Sequence, residues 1–241
     1  MDQLKILGIV GIRSGSNGVP DKNIRSLCRK PLIGWILDAA RQSKKINRLV
    51  VSTDSNDYAE VAVAHGAEVP CLRPPELAQD NSSEIDYVRH MLDWLDQHEN
   101  YCPDIVVRLM ATVPLQTHED IDTVVEILLD DPVAESAVVI AEARQHPMKA
   151  LKLVEDGLGN SKLVSYFSGS GREVTPIARQ RYEPAYFRAN IIACRSSVID
   201  RTNSLTGDTV RYHIIPQERA IDIDNEIDFF LIENLISGNE V

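Results

Sequence analysis

Several things are scarce in this chain, and each scarcity removes a class of function. No apolar run approaches the about 20 residues that a membrane-spanning helix requires. Basic residues are in the minority: 25 Lys and Arg stand against 36 Asp and Glu, for a formal net charge of −11. A broad nucleic-acid footprint needs a basic face, so that partner is excluded. A single nucleotide is not, because a few local cations outweigh the global field. Cysteine is sparse. Cys28, Cys71, Cys102 and Cys194 lie far apart with no C-x-x-C pair, and they read as reduced thiols of a cytoplasmic protein. Met1-Asp2-Gln3 lacks the basic start of a secretory signal, which again predicts a cytoplasmic location. His65, His90, His98, His118 and His213 show no metal-ligand spacing. Internal repeats and low-complexity tracts are missing too.

What is present is ordinary in bulk and specific in places. The chain has 241 residues, 44% hydrophobic and 25% charged, enough for one α/β domain with a good core. The apolar run Leu4 to Ile12 reads as a buried strand. A glycine-rich stretch from Gly11 to Asn23 follows, and a helix pattern begins near Pro31. In a strand–loop–helix layout, backbone N–H groups can surround a phosphate. Arg13 and Lys22 add the cations a triphosphate needs, and Ser14, Ser16 and Asn17 add hydrogen-bonding groups. The loop matches neither G-x-x-x-x-G-K-[ST] nor G-x-G-x-x-G. An ordinary βα connection is the other reading of the loop by itself.

Strands and helices then alternate. Strands are expected at 48–54, 67–72 and 104–110, with helices at 55–65, 83–98 and 119–129. That rhythm predicts a doubly wound, mostly parallel sheet. Ligands sit beyond the carboxyl ends of such strands, so the loops at 11–23, 73–82 and 110–117 should face one cleft. After residue 135 the rhythm changes. Strands are expected at 136–143, 186–194 and 212–215, with a last helix from 225 to about 236. Gly157-Leu158-Gly159-Asn160 reads as a hairpin turn, and Gly169-Ser170-Gly171 as a loop. The whole chain, 1–241, is read as one domain with 140–185 as an excursion from the main sheet.

Two further stretches carry chemistry on their own terms. In Ile221-Asp222-Ile223-Asp224, an extended backbone puts Asp222 and Asp224 on one face. Paired carboxylates repel unless a cation lies between them, and Mg²⁺ takes hard oxygen ligands. The alternative is that Asp224 caps the last helix while Asp222 is solvated. Between Arg73 and Ser82 the prolines stiffen the chain, and Ser82 reads as a helix cap.

The segment Arg13-Ser14-Gly15-Ser16-Asn17-Gly18-Val19-Pro20-Asp21-Lys22-Asn23 resembles the R-x-x-S-K-G-[LI]-P-x-K-N opening of the acylneuraminate cytidylyltransferases, within the sugar nucleotidyltransferases. Arg73 to Ser82 is similar to that family's R-x-x-E-L-A-x-D-x-[ST]. His146-Pro147-Met148-Lys149 is similar to its H-P-x-K, and the later I-D-I-D is shared. Arg179-Gln180, with Pro184, Tyr186, Phe187, Arg188 and Asn190, resembles its R-Q…P…[YF]-R-x-N-G. The resemblance runs in order through nearly the whole chain. It implies a Rossmann-like nucleotidyltransferase fold and transfer of CMP from CTP to a sialic-acid-like nonulosonic acid, with release of pyrophosphate. It implies nucleotide contacts from Arg13, Ser14, Ser16, Asn17, Lys22, Asn23, Arg73 and Ser82, and Mg²⁺ on Asp222 and Asp224. Sugar contacts would come from Met110, Thr112, Lys149, Arg179, Gln180, Tyr186, Phe187 and Asn190. It also implies a homodimer built through 140–185, with Lys149 and Arg179 acting across the interface. Arg13, Lys22, Asp222, Asp224 and Arg179 are the expected catalytic set. Three departures bear on the sugar: Asn17 replaces a lysine, Met110 a glutamine and Ile191 a glycine. A CMP-Kdo or other CMP-ulosonate synthetase is the alternative enzyme. A nucleotide-binding relic without activity is the alternative of another class.

Overall fold

Strand β1 (Ile6–Gly11) is apolar on both faces, and its first five residues are buried. A strand of that kind belongs at the middle of a covered sheet. The computed structural model places it there, and it describes residues 4–15, 19–155, 157, 159–167 and 181–238. The neighbours of β1 are β4 (Arg48–Ser52) and β5 (Ile105–Leu109), both parallel to it. Beyond them lie β6 (Ser136–Glu142), β9 (Tyr186–Arg195) and β10 (Val210–Ile214), in the order β10-β6-β9-β5-β1-β4. β6 and β10 are parallel, whereas β9 runs antiparallel to β5. The sheet is therefore mostly parallel with one reversed strand, a mixed α/β architecture as expected.

Helix α3 (Glu84–Glu99) and the short α5 (Ser196–Thr202) cover one face. Tyr87, Val88, Met91 and Leu95 of α3 and Val198 and Ile199 of α5 pack on Leu7, Ile9, Val50, Val106 and Ile192. Helices α1 (Leu32–Gln42) and α4 (His118–Asp130) contribute nothing to that cluster and lie against each other. Helix α2 (Asn56–Ala64) starts at Ser55, whose hydroxyl accepts from the Tyr58 N–H. The closing helix α6 (Glu226–Gly238) buries Phe229, Ile232 and Ile236 against Leu27, Leu32, Ile221 and Ile223. Among the described residues, no helix is long and apolar enough to cross a membrane.

Two expectations need correction. Residues 67–72 are not a strand: they make only the single parallel bridges Val50↔Glu68 and Thr53↔Leu72. Pro70 lies between them and has no N–H to give a ladder. The cap of α3 is Ser83 rather than Ser82. Its side chain accepts from the Asp86 N–H while the Asp86 carboxylate takes the Ser83 N–H, a reciprocal capping box.

A small hairpin of β2 (Ser26–Leu27) and β3 (Lys30–Pro31) precedes α1. Its two turn residues, Cys28 (φ 48°) and Arg29 (φ 67°), are both left-handed. Glycine or asparagine suits such a turn, because a Cβ there is strained. Arg29 is exposed. Arg29→Gly is expected to stabilise the protein by about 1 kcal/mol, a rise of roughly 2–4 °C in Tm for a chain of this size. A fall in Tm by calorimetry would show that the arginine side chain contributes more than its backbone costs.

By contacts the chain falls into two units, Met1–Ile140 with Arg188–Val241, and Ala141–Phe187. The second contains the antiparallel pair β7 (Leu151–Glu155) and β8 (Ser161–Ser165), with Gly157 (φ 77°) and Gly159 (φ 84°) at the expected turn. Val164 is buried, but Leu151, Leu153, Val154, Leu163, Tyr166 and Phe167 are exposed. The segment 168–180, with the expected loop at Gly169 and the candidate residues Arg179 and Gln180, lies outside the described residues. So do Ser16 and Asn17.

Candidate active site

Strands β1 and β5 deliver their carboxyl ends to one side of the sheet, and the loops that follow meet there. They enclose a cavity of about 370 Å³. Its lining draws on three segments: Gly11 to Asn23, Arg73 to Tyr87, and Met110 with Thr112; Asp224 joins them. The common cleft expected from the strand rhythm is present.

The glycine-rich loop is fastened at several points. The Ser14 N–H and hydroxyl donate to the two Asp54 carboxylate oxygens at 2.9 and 2.6 Å. Burial raises the Asp54 carboxyl, but these bonds outweigh it and hold the group below its usual range. Ser14 thus serves Asp54 directly, and its hydroxyl is not in the cavity lining. Arg13 lines the cavity and pairs with Asp80 at 2.7 Å. That pair ties the loop to the 73–82 segment. Asn23 is buried, and its side-chain amide donates to the Arg13 carbonyl at 3.3 Å. The Lys22 ammonium donates to the Ile223 carbonyl at 2.5 Å and lies 3.9 Å from Asp224. A cation from the first 25 residues therefore meets the carboxylates near the end of the chain.

Arg73 is buried and donates to the hydroxyl and carbonyl of Ser52 at 3.0 and 2.6 Å. Its guanidinium stacks on Tyr87, 4.5 Å from the ring centroid. Tyr87 in turn lies on Gly11: a Cβ at Gly11 would stand 2.3 Å from a ring carbon. Glycine is required there by that close approach. Ser82 lines the cavity and also closes its own loop, accepting from the Gln79 N–H at 3.0 Å. Tyr87 and Glu84 are lining residues that the sequence reading missed. Helical spacing marks Val88 and Met91 as core, and Tyr87 beside them carried no sign of facing a cavity.

Asp222 and Asp224 lie on an extended segment, but not in a sheet strand. Gln217–Ala220 is a 3-10 turn, and the following residues are tied to β5's loop by the Ile223 N–H donating to the Thr112 carbonyl at 2.9 Å. Ile221 and Ile223 point into the apolar cluster under α6, so the aspartates share the opposite side. Asp222 accepts from the Asn190 side-chain amide at 2.7 Å. It is therefore not merely solvated. Nor does the Asp224 side chain cap α6: the Asn225 carboxamide oxygen accepts from the Ile227 and Asp228 N–H groups. Burial raises the Asp222 carboxyl above its ordinary value, and Asp224 adds to the rise, while the Thr112 hydroxyl, Lys22 and the Asn190 amide oppose it. Two hard carboxylates with room for phosphate oxygens and water fit Mg²⁺. Among the described residues, no cluster of three or more His, Cys, Asp or Glu forms a metal cage made of protein alone.

Of the expected sugar-binding residues, Met110 and Thr112 line the cavity. Asn190 is left-handed (φ 65°) and committed to Asp222. Lys149, at the end of a 3-10 turn (Pro147–Lys149), and Tyr186 and Phe187 belong to the second unit and are exposed.

Comparison with known proteins gives the family. The cytidylyltransferase profile matches residues 7–226. A CMP-N,N′-diacetyllegionaminic acid synthase of Legionella pneumophila is 31% identical over 240 residues, covering 98% of each chain. The post-translational flagellin modification protein B of Campylobacter coli is 30% identical over 233 residues, 96% of this chain and 95% of that one. An N-acylneuraminate cytidylyltransferase of Escherichia coli is 27% identical, over 94% of this chain and 51% of its own. Among solved structures, a CMP:2-keto-3-deoxy-manno-octonic acid synthetase complexed with CTP superposes with a TM-score of 0.68 at 17% identity, covering 98% of this chain and 99% of that one. With the profile spanning most of its length and relatives above 30% identity along all of it, this chain belongs to the acylneuraminate cytidylyltransferase family of nucleotidyltransferases.

Proposed function

We propose that the protein transfers CMP from CTP to the anomeric hydroxyl of a nine-carbon 2-keto-3-deoxy sugar acid. The observation that carries this is the meeting of Lys22 with the Asp222–Asp224 segment beside one cavity, with Arg13 in the same lining. A bond forms from the sugar oxygen to the α-phosphorus, the bond to the bridging oxygen breaks, and pyrophosphate leaves. Such a step depends on position and on neutralising charge. Arg13 and Lys22 would hold phosphate oxygens, with Ser16 and Asn17 of the same loop adding hydrogen bonds. Asp222 and Asp224 would hold Mg²⁺, which would supply Lewis-acid charge and make the attacking hydroxyl more acidic. Arg73, Asn23 and Ser82 would fix the nucleoside. Met110 and Thr112 would face the sugar; the resemblance assigns Gln180, Tyr186 and Phe187 to the same ligand, with Lys149 and Arg179 reaching it across a dimer interface. The names of the 30–31% identical relatives support a nonulosonic acid as acceptor. A reaction that consumes CTP suits the cytoplasm.

The test has two arms. Calorimetric titration with the four ribonucleoside triphosphates should show CTP binding tightest. Pyrophosphate release should then appear with N-acetylneuraminic or N,N′-diacetyllegionaminic acid. Release only with Kdo would move the acceptor to the eight-carbon acids. Binding of CTP without release for any acid of the panel would make the protein a nucleotide-binding relic.

The second unit supports a homodimer. Leu153 (71% exposed), Leu163 (54%), Tyr166 (57%) and Phe167 (54%) leave its hairpin without cover. Burying each large side chain on a second copy would contribute roughly 1.5–3 kcal/mol, and twofold pairing is the commonest closed association. Light scattering should give twice the 26.9 kDa chain mass. Mixed with subunit exchange, Asp222→Asn and Arg179→Ala proteins should recover part of the activity each lacks alone. A monomer, or no recovery, would leave this segment serving its own subunit.

A further inference from the structure

Arg108 has no role in the reading so far, yet it is only 3% exposed in central strand β5. A guanidinium inside a sheet is costly unless it is paired, and a well-packed apolar residue usually serves stability as well or better. Its contacts are directional. Nη1 donates to the Asn190 carbonyl at 3.1 Å, and Nη2 pairs with the Glu84 carboxylate at 3.1 Å. Asn190 sits in the left-handed region at φ 65°, a conformation that asparagine adopts more readily than other side-chain-bearing residues. From that conformation its amide reaches Asp222 Oδ2 at 2.7 Å. The backbone of the Asp222 segment is tied at Ile223, and the Asn190 amide is the contact that reaches the Asp222 carboxylate itself. Glu84, at the cavity wall, closes the other end of the chain of contacts.

We propose that Arg108 is a positioning residue for Asp222, acting through Asn190: one arm of its guanidinium holds the Asn190 carbonyl while the other is anchored on Glu84, and the Asn190 amide aims the carboxylate toward the metal. This rests on the reading of Asp222 as a metal ligand. Partners that orient metal ligands typically govern affinity by 10- to 100-fold.

The test is Mn²⁺ titration of the protein–CTP complex followed by electron paramagnetic resonance, with CTP alone as the blank. Arg108→Lys keeps a positive charge in the core but loses the fork. Asn190→Gly accepts the positive φ and removes the amide. Each is expected to weaken Mn²⁺ binding about tenfold or more, while CTP affinity in EDTA stays within about twofold of the parent. The double variant should be no weaker than the worse single one, because both changes break one chain of contacts. A folded Arg108→Lys protein with parental Mn²⁺ affinity overturns the proposal, as does full additivity of the two changes. A drop in Tm with Mn²⁺ affinity intact would likewise reduce Arg108 to a structural part. Asp222→Asn is the control: if it binds Mn²⁺ as the parent does, the metal reading itself fails, and this inference with it.

Discussion

Asp222→Asn should lower kcat by at least about 100-fold and yet leave the protein no less stable than the parent. Under the proposed mechanism the kinetic loss would be that of one charged group aimed at the reacting phosphate through a metal, about 3 kcal/mol or more. The stability result follows from the direction of the Asp222 shift. Burial and Asp224 hold its carboxyl above the ordinary value, so the folded chain keeps that proton more tightly than the unfolded one. Ionising it therefore subtracts stability. The loss develops as pH rises from the ordinary carboxylate value through the raised one, and above that window it is constant. An asparagine carries no such charge, and its side-chain oxygen still accepts from Asn190. In EDTA at neutral pH the variant's Tm should equal or exceed the parent's, and the gap should close in acid. Added Mg²⁺ with CTP should raise the parent's Tm and not the variant's. A variant markedly less stable than the parent at neutral pH would make Asp222 a structural partner of Lys22 and Asn190. Activity retained by both Asp222→Asn and Asp224→Asn would remove the metal site altogether.

Much of this was legible in the chain because period and backbone needs leave marks in sequence. β1 announced itself through residues apolar on both faces, and the strand–helix rhythm placed the three loops of the cleft on one side. Asp222 and Asp224 were paired by the alternation with Ile221 and Ile223. What stayed hidden depends on contacts far apart in sequence. No local pattern shows that Lys22 reaches the Ile223 carbonyl, or that Asn190 links Arg108 of β5 to Asp222. The strand expected at 67–72 failed for a local reason, Pro70, whose missing N–H interrupts pairing. The reversed direction of β9 was also unmarked, since a buried apolar strand reads alike either way. The hairpin with Cys28 and Arg29 was missed because its turn lacks the glycine or asparagine by which such turns are recognised.

Lys22→Ala should cost about 2–3 kcal/mol in kcat/KM, roughly 30- to 150-fold, with little change in Tm. Two contacts set that expectation. The 3.9 Å approach to Asp224 involves a carboxylate that is 80% exposed, and exposed pairs contribute little to stability. The 2.5 Å bond to the Ile223 carbonyl is one of several ties on a segment also held by its buried isoleucines, so its loss should not unfold the site. Under the proposed mechanism, what would disappear is positive charge beside the phosphates. A second readout separates that role from a tether. Lys22 opposes the rise of the Asp222 carboxyl, so removing the ammonium lets Asp222 hold its proton to higher pH. The acid limb of the kcat/KM profile should therefore move to higher pH in Lys22→Ala. In Lys22→Arg, which keeps the charge, that limb should stay near the parent's, while the bulkier planar group recovers only part of the rate. Near-parental kcat/KM in Lys22→Ala would show that the ammonium takes no part in the reaction. A full rate loss with an unmoved acid limb would place Lys22 on the phosphates alone and away from Asp222.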